Sequence, residues 1–122
     1  MVCDYEHFKV LCYAESRSML RSGNVSHVAL LRLCEEDGES SSRSRNRVME
    51  QLGDALRTNL RRGDVISRCS GTQYILLLRD ANYENSCMVC RRIIAAFRRQ
   101  HPHTHGQIHF MVQPLTPAVR VP

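Results

Sequence analysis

Three groups of side chains in this sequence could do chemistry. The first is acidic: Glu35, Glu36 and Asp37 stand in a row, and adjacent carboxylates can share a divalent cation. An acidic loop edge is the simpler reading of the same three residues. The second group is thiol and imidazole. Cys87 and Cys90 form a CxxC, and His101, His103 and His105 follow downstream. A zinc site needs four ligands, and no second cysteine pair supplies them. A redox pair would open a helix after a strand, whereas this CxxC lies inside an apolar helical pattern. Core cysteines followed by an exposed His-rich loop fit better. The third group is Arg61 and Asp64. A guanidinium fork grips phosphate or a carboxylate. The same two residues could instead stop a helix and form a surface ion pair of little energetic weight. No Ser/His/Asp or Cys/His arrangement suggests nucleophilic catalysis, and His7, His27 and His109 stand alone.

The periodicity predicts the elements that must carry these groups. Asp4 caps a helix whose apolar positions Tyr5, Phe8, Leu11, Cys12 and Met19 fall at helical spacing, and Ser22-Gly23-Asn24 ends it. Val25 to Leu33 is an apolar run suited to a buried strand. Cys34 to Asn46, acidic and then rich in Ser and Arg, has no apolar anchor and reads as a loop. Val48, Leu52, Ala55, Leu56 and Leu60 mark a second helix. Val65 to Cys69 and Gln73 to Leu78 are two strands joined by the turn Ser70-Gly71-Thr72, a hairpin. Asn82 caps a third helix with Met88, Val89, Ile93, Ile94 and Phe97 on its apolar side. Gln107 to Val112 is a last strand, and residues 114–122 read as a flexible tail. The order α-β-α-β-β-α-β predicts an α+β fold over residues 1–113, with helices packed on a mostly antiparallel sheet.

Composition narrows the function classes. The 122 residues are 43% hydrophobic and 24% charged, ordinary for one globular domain. No apolar run approaches the ~18 residues of a membrane span, and the first residues lack the pattern of a signal peptide. The expected location is the cytoplasm, with no membrane partner. The net charge of +5 is almost all arginine, spread from Arg17 to Arg120. Trp is absent and no aromatic-basic interleaving suggests base stacking. A solvated surface is therefore the first reading of the charge, and direct DNA binding by this domain a lesser one. Most of the six cysteines sit in apolar stretches, as small buried hydrophobes do.

At the hairpin the sequence resembles the GGDEF, or diguanylate cyclase, family. The stretch from Leu60 to Leu78 carries Arg61, then Asp64 three residues on, then a strand ending in Arg68, a turn and an apolar strand. The family's signature turn here reads Ser70-Gly71-Thr72-Gln73-Tyr74. With the element order on both sides, the resemblance covers roughly residues 3 to 113. Three further stretches, Cys3 to Lys9, Arg17 to Gly23 and Ala81 to Asn85, resemble the C-terminal module of bacterial regulators that carry a bacterial transcriptional activator domain. On that reading the chain is a piece of a longer regulator, and DNA is reached through domains upstream.

The resemblance implies a nucleotidyl-cyclase-like fold, and the departures from the family imply a lost activity. A diguanylate cyclase joins two GTP molecules with Mg²⁺ held by carboxylates from the end of the first strand and from the turn. Here Cys34 stands in the strand position, Thr72 and Gln73 replace the acidic pair, and Ser70 replaces the first glycine. The guanine-gripping segment after the first strand is replaced by Ser40 to Arg43. No catalytic residue, metal ligand or cofactor is expected. The family's inhibitory cyclic di-GMP site has the spacing of Arg61 and Asp64, and Arg92 stands about where its second arginine belongs. The expected function is a non-catalytic regulatory and assembly domain of a transcriptional regulator, partnered by the regulator's other domains or a second copy. The alternative is a receptor for cyclic di-GMP or another nucleotide through Arg61, Asp64 and Arg92, and after it a divergent cyclase using Glu35, Glu36 or Asp37.

Overall fold

In the computed structural model, residues 1–34, 42–104 and 106–116 are described. Glu35, Glu36, Asp37 and His105 lie outside them. The order is α1 (Tyr5–Ser22), β1 (His27–Cys34), α2 (Ser42–Asn59), β2 (Val65–Ser70), β3 (Gln73–Leu78), α3 (Tyr83–Gln100) and β4 (Gln107–Pro114). The four strands form one sheet in the order β2-β3-β1-β4. All pairings between these strands are antiparallel, so the α+β expectation holds.

Alternation along the central strands divides the core. Ala29, Leu31 and Leu33 of β1 and Tyr74, Leu76 and Leu78 of β3 face one side. There they meet Met49, Leu52 and Leu56 of α2 and Cys90, Ile93 and Phe97 of α3, the i, i+3, i+4 stripes of two amphipathic helices. The intervening residues, Val28, Ile75 and Leu77, face the other side and pack with Phe8 and Leu11 of α1. A one-residue slip would exchange the two faces, which is why the register is strongly specified.

Local chemistry sets the helix ends. Asp4 accepts the His7 backbone N–H at 2.8 Å, and Cys3 packs in the same small cluster as Phe8, a cap with a hydrophobic staple. Gly23 closes α1 at φ 74°, its N–H bonded to the Met19 carbonyl; this left-handed position favours glycine. Asn82 caps α3 by accepting from Asn85 N–H. The outer edge of β2 is partly covered: Cys3 N–H donates to the Ile66 carbonyl, and Ile66 N–H donates to the Met1 carbonyl.

Three expected boundaries move. α2 begins at Ser42, so residues 42–46 of the expected Cys34 to Asn46 loop are helix. Arginine is a good helix former, and Arg43, Arg45 and Arg47 extend the helix ahead of its first apolar anchor, Val48. β1 begins at His27 instead of Val25, which is 52% exposed. β4 runs on to Pro114, and Leu115 N–H donates to the Ser26 carbonyl. The expected tail from 114 is therefore held through this point; residues 117–122 lie outside the described residues. The proline stands at the last position of an edge strand, where its missing N–H costs nothing.

Candidate functional site

The hairpin of β2 and β3 presents the signature turn. Cys69 is the extra residue of a bulge between the pairs Arg68–Tyr74 and Ser70–Gln73, and a bulge at this point re-aims the turn. Leu33 N–H donates to the Thr72 carbonyl at 2.8 Å, which holds the turn against the end of β1, next to Cys34. The structure thus brings together the two places that, by the resemblance, correspond to the metal-ligand positions of the family. Among the described residues the side chains there are neutral. Gln73 Oε1 accepts from Ser70 Oγ at 3.4 Å, and Ser70 Oγ accepts the Thr72 N–H at 3.2 Å. A hydroxyl, an amide and a thiol do not match the carboxylate set that Mg²⁺ takes. Among the described residues no group of three His, Cys, Asp or Glu is placed to hold a metal ion.

Arg68, the strand-ending arginine of the signature, holds the turn from outside. Its guanidinium donates to the Gly71 carbonyl at 3.1 Å and to Asn46 Oδ1 of α2 at 2.9 Å. Tyr74, fifth in the turn motif, points inward. It is only 7% exposed, and its hydroxyl donates to the Met49 carbonyl of α2 at 2.8 Å. Burial pushes that hydroxyl's pKa up. The hydroxyl fits because α2 carries Gly53 beside it: a Cβ at Gly53 would lie 2.5 Å from the Tyr74 oxygen. A glycine in the middle of a helical pattern was the only sign of this arrangement in the sequence, since it costs helix stability and so needs a packing reason.

Arg61 and Asp64 do meet, but they spend themselves on each other. Asp64 is 1% exposed. One of its oxygens accepts from Arg61 Nη2 at 3.0 Å; the other accepts from Arg61 Nε at 3.2 Å and from the Arg61 backbone N–H at 3.1 Å. Arg61 Nη2 also donates to the Arg79 carbonyl beyond β3. The carboxylate is therefore enclosed, with both oxygens accepting from Arg61. The outer side of Arg61 remains half exposed. Arg92 reaches the same end of α2, donating to the Asn59 carbonyl at 3.0 Å.

Among the described candidates, Cys87, Cys90 and His27 sit in buried positions. Cys87 and Cys90 are buried in the α2–α3 core, and all six thiols are free. Burial first, and then the neighbouring Cys87, pushes the Cys90 pKa from 9.0 up to about 12. At pH 8 only about one Cys90 thiol in ten thousand would be ionised. Native chain is thus expected to alkylate there far more slowly than chain unfolded in urea, as peptide mass mapping would show. The neutral thiol favours the folded state in full below the ordinary value of 9.0, and that contribution falls as pH rises toward about 12. His27 is buried, and its Nδ1 donates to the Ala81 carbonyl at 2.7 Å.

Residues 43–114 match the family described as diguanylate cyclase, GGDEF domain. The chain belongs to this family. Over 62 residues it is 32% identical to the probable diguanylate cyclase DgcE of Escherichia coli (strain K12). That match takes in 51% of this chain but only 6% of the relative. The fold is shared with the active GGEEF domain of a Vibrio cholerae diguanylate cyclase, at a TM-score of 0.78 and 12% identity, covering 98% of this chain and 81% of that one. It is shared equally with the GGDEF domain of FimX from Pseudomonas aeruginosa, at 0.76 and 14%, covering 98% and 79%. Within this GGDEF domain no described helix is long and apolar enough to cross a membrane.

Proposed function

We propose that this GGDEF domain is a non-catalytic regulatory and assembly module in a bacterial transcriptional regulator, acting in the cytoplasm. The carrying observation is the pairing of the turn with the end of β1, where Cys34, Thr72 and Gln73 stand in place of carboxylates. Among the described residues the fold is kept while no carboxylate set that would hold Mg²⁺ and stabilise phosphoryl transfer is placed at this junction. The regulator context rests on the resemblance of Cys3 to Lys9, Arg17 to Gly23 and Ala81 to Asn85 to the C-terminal module of activator-domain regulators. DNA would then be reached through other domains.

Incubation with GTP and Mg²⁺ or Mn²⁺, followed by chromatography of the nucleotides, is expected to show neither cyclic di-GMP nor pyrophosphate. Metal-dependent turnover would overturn the reading and move attention to Glu35, Glu36 and Asp37.

A second reading has one observation in its favour: Arg61 and Arg92 converge on the same end of α2, two fixed cations where a phosphodiester could bind. On this reading the domain is a receptor for cyclic di-GMP or another nucleotide through its phosphates, with Asp64 positioning Arg61 instead of touching guanine. Calorimetry with cyclic di-GMP separates the two. Saturable heat lost in Arg92→Ala, whose fold is checked by circular dichroism, favours the receptor. Absence of heat leaves the regulatory module.

A further inference from the structure

We propose that the groove between α3 and the outer edge of β4 binds an extended, acidic segment of a partner polypeptide, which adds to the sheet beside β4. This is independent of the nucleotide reading. The sheet has two outer edges, β2 and β4, and they differ. The β2 edge is partly covered by the first residues of the chain: Val2 bridges Ile66, and Cys3 N–H donates to the Ile66 carbonyl. Among the described residues no segment pairs with the outer side of β4. β4 also lacks the usual protections of an edge strand. Its register with β1 runs without a bulge from Gln107 to Pro114, it carries no Lys, Arg, Asp or Glu, and its one proline stands at the last position.

The backbone bonds fix which groups of β4 are open. Leu115 N–H donates to the Ser26 carbonyl, the pair that continues the β1–β4 register by one step. Bonding in an antiparallel pair alternates residue by residue, so Gln107, His109, Met111 and Gln113 are the residues that bond to β1. The N–H and C=O groups of Ile108, Phe110 and Val112 therefore point outward, and Pro114 ends the row with no N–H to offer. Donors and acceptors repeating at every second residue match the backbone of another extended chain.

The side chains beside this edge set the composition of that chain. A groove of about 430 Å³ lies there, walled by Ile94 and Ala95 of α3 and by Ile108 and Phe110 of β4. It accepts apolar side chains from alternate positions of an added strand. Arg91 also lines it, exposed, with its guanidinium 5.6 Å from the centre of the Phe110 ring. Among the described residues no carboxylate pairs with Arg91. A carboxylate on the added strand would complete this cation beside the middle of the outward row. Edge-to-edge pairing with a second copy would instead bring two Arg91 guanidinia together, and like charges count against it.

The test uses three synthetic nine-residue peptides with fluorescein at the N-terminus. One alternates Thr and Val around a central Glu, one has Lys at the centre instead, and one is the Glu peptide with its three central backbone nitrogens methylated. Fluorescence anisotropy with the whole chain is expected to show saturable binding of the Glu peptide. The Lys peptide should bind about fivefold more weakly, and the methylated peptide about tenfold more weakly or worse. Arg91→Glu, at an exposed position, should reverse the order of the Glu and Lys peptides; circular dichroism checks its fold. Chemical-shift mapping on the isotope-labelled chain should place the Glu peptide along residues 108–112 and 91–95. No saturable binding of the Glu peptide up to millimolar chain overturns the proposal, as does an order of Glu and Lys peptides that Arg91→Glu leaves unchanged. Equal binding of the methylated peptide overturns it too, since the groove would then take an apolar anion and not a strand.

Discussion

Replacing Arg61 by alanine is expected to lower the stability of this domain by about 3 kcal/mol, and Asp64→Ala by about 2 kcal/mol. The order follows from which charge is left behind. Asp64 is 1% exposed and takes three hydrogen bonds from Arg61. Without the guanidinium, a buried carboxylate keeps only one backbone N–H. In the opposite variant the orphan is a guanidinium already half exposed, which water can solvate. The pair also spans structure: it closes the turn from α2 into β2 and reaches the Arg79 carbonyl after β3. Urea denaturation of both variants and of the double would measure this. The double should cost clearly less than the sum of the singles, the mark of coupled residues. Losses below about 0.5 kcal/mol in both single variants would mean that the pair is an ordinary surface contact. For nucleotide binding, loss of a signal in Arg61→Ala would be ambiguous, since the variant is also destabilised; Arg92→Ala is the cleaner control.

Gly53→Ala is expected to destabilise the domain by about 1–2 kcal/mol, although the same change in an exposed helix would stabilise it by about 1 kcal/mol. The sign reverses because a Cβ at this position would sit 2.5 Å from the Tyr74 hydroxyl oxygen. That hydroxyl is buried, and it is held by its bond to the Met49 carbonyl. Tyr74→Phe alone should cost about 1 kcal/mol for the lost bond. In the Tyr74→Phe background, Gly53→Ala should become nearly neutral: the hydroxyl is gone, and the nearest ring carbon, at 3.3 Å, needs to move only slightly. A double-mutant cycle by thermal or urea unfolding reads the coupling directly. If Gly53→Ala is stabilising with Tyr74 intact, α2 can shift away from β3 and the close approach does not constrain this end of the fold.

The periodicities, caps and turns of the sequence determined the seven elements, their order and the α+β class, because each is a local property. Asp4, Gly23 and Asn82 act within four residues of themselves, and strand alternation marks the buried face residue by residue. The signature stretch from Leu60 to Leu78 was legible for the same reason, and with it the absence of carboxylates at Thr72 and Gln73. The start of α2 was not legible, since arginines suit a loop and a solvated helix alike. Nor could the sequence decide what Arg61 and Asp64 do. Their spacing allows a ligand site or an internal ion pair, and only the tertiary structure buries Asp64 under Arg61 and leaves the outer side of Arg61 half exposed. Gly53 and Tyr74 lie on different elements, so their fit depends on how closely α2 approaches β3. Burial and contact between distant residues depend on the packing distance between elements, and no local pattern encodes that distance.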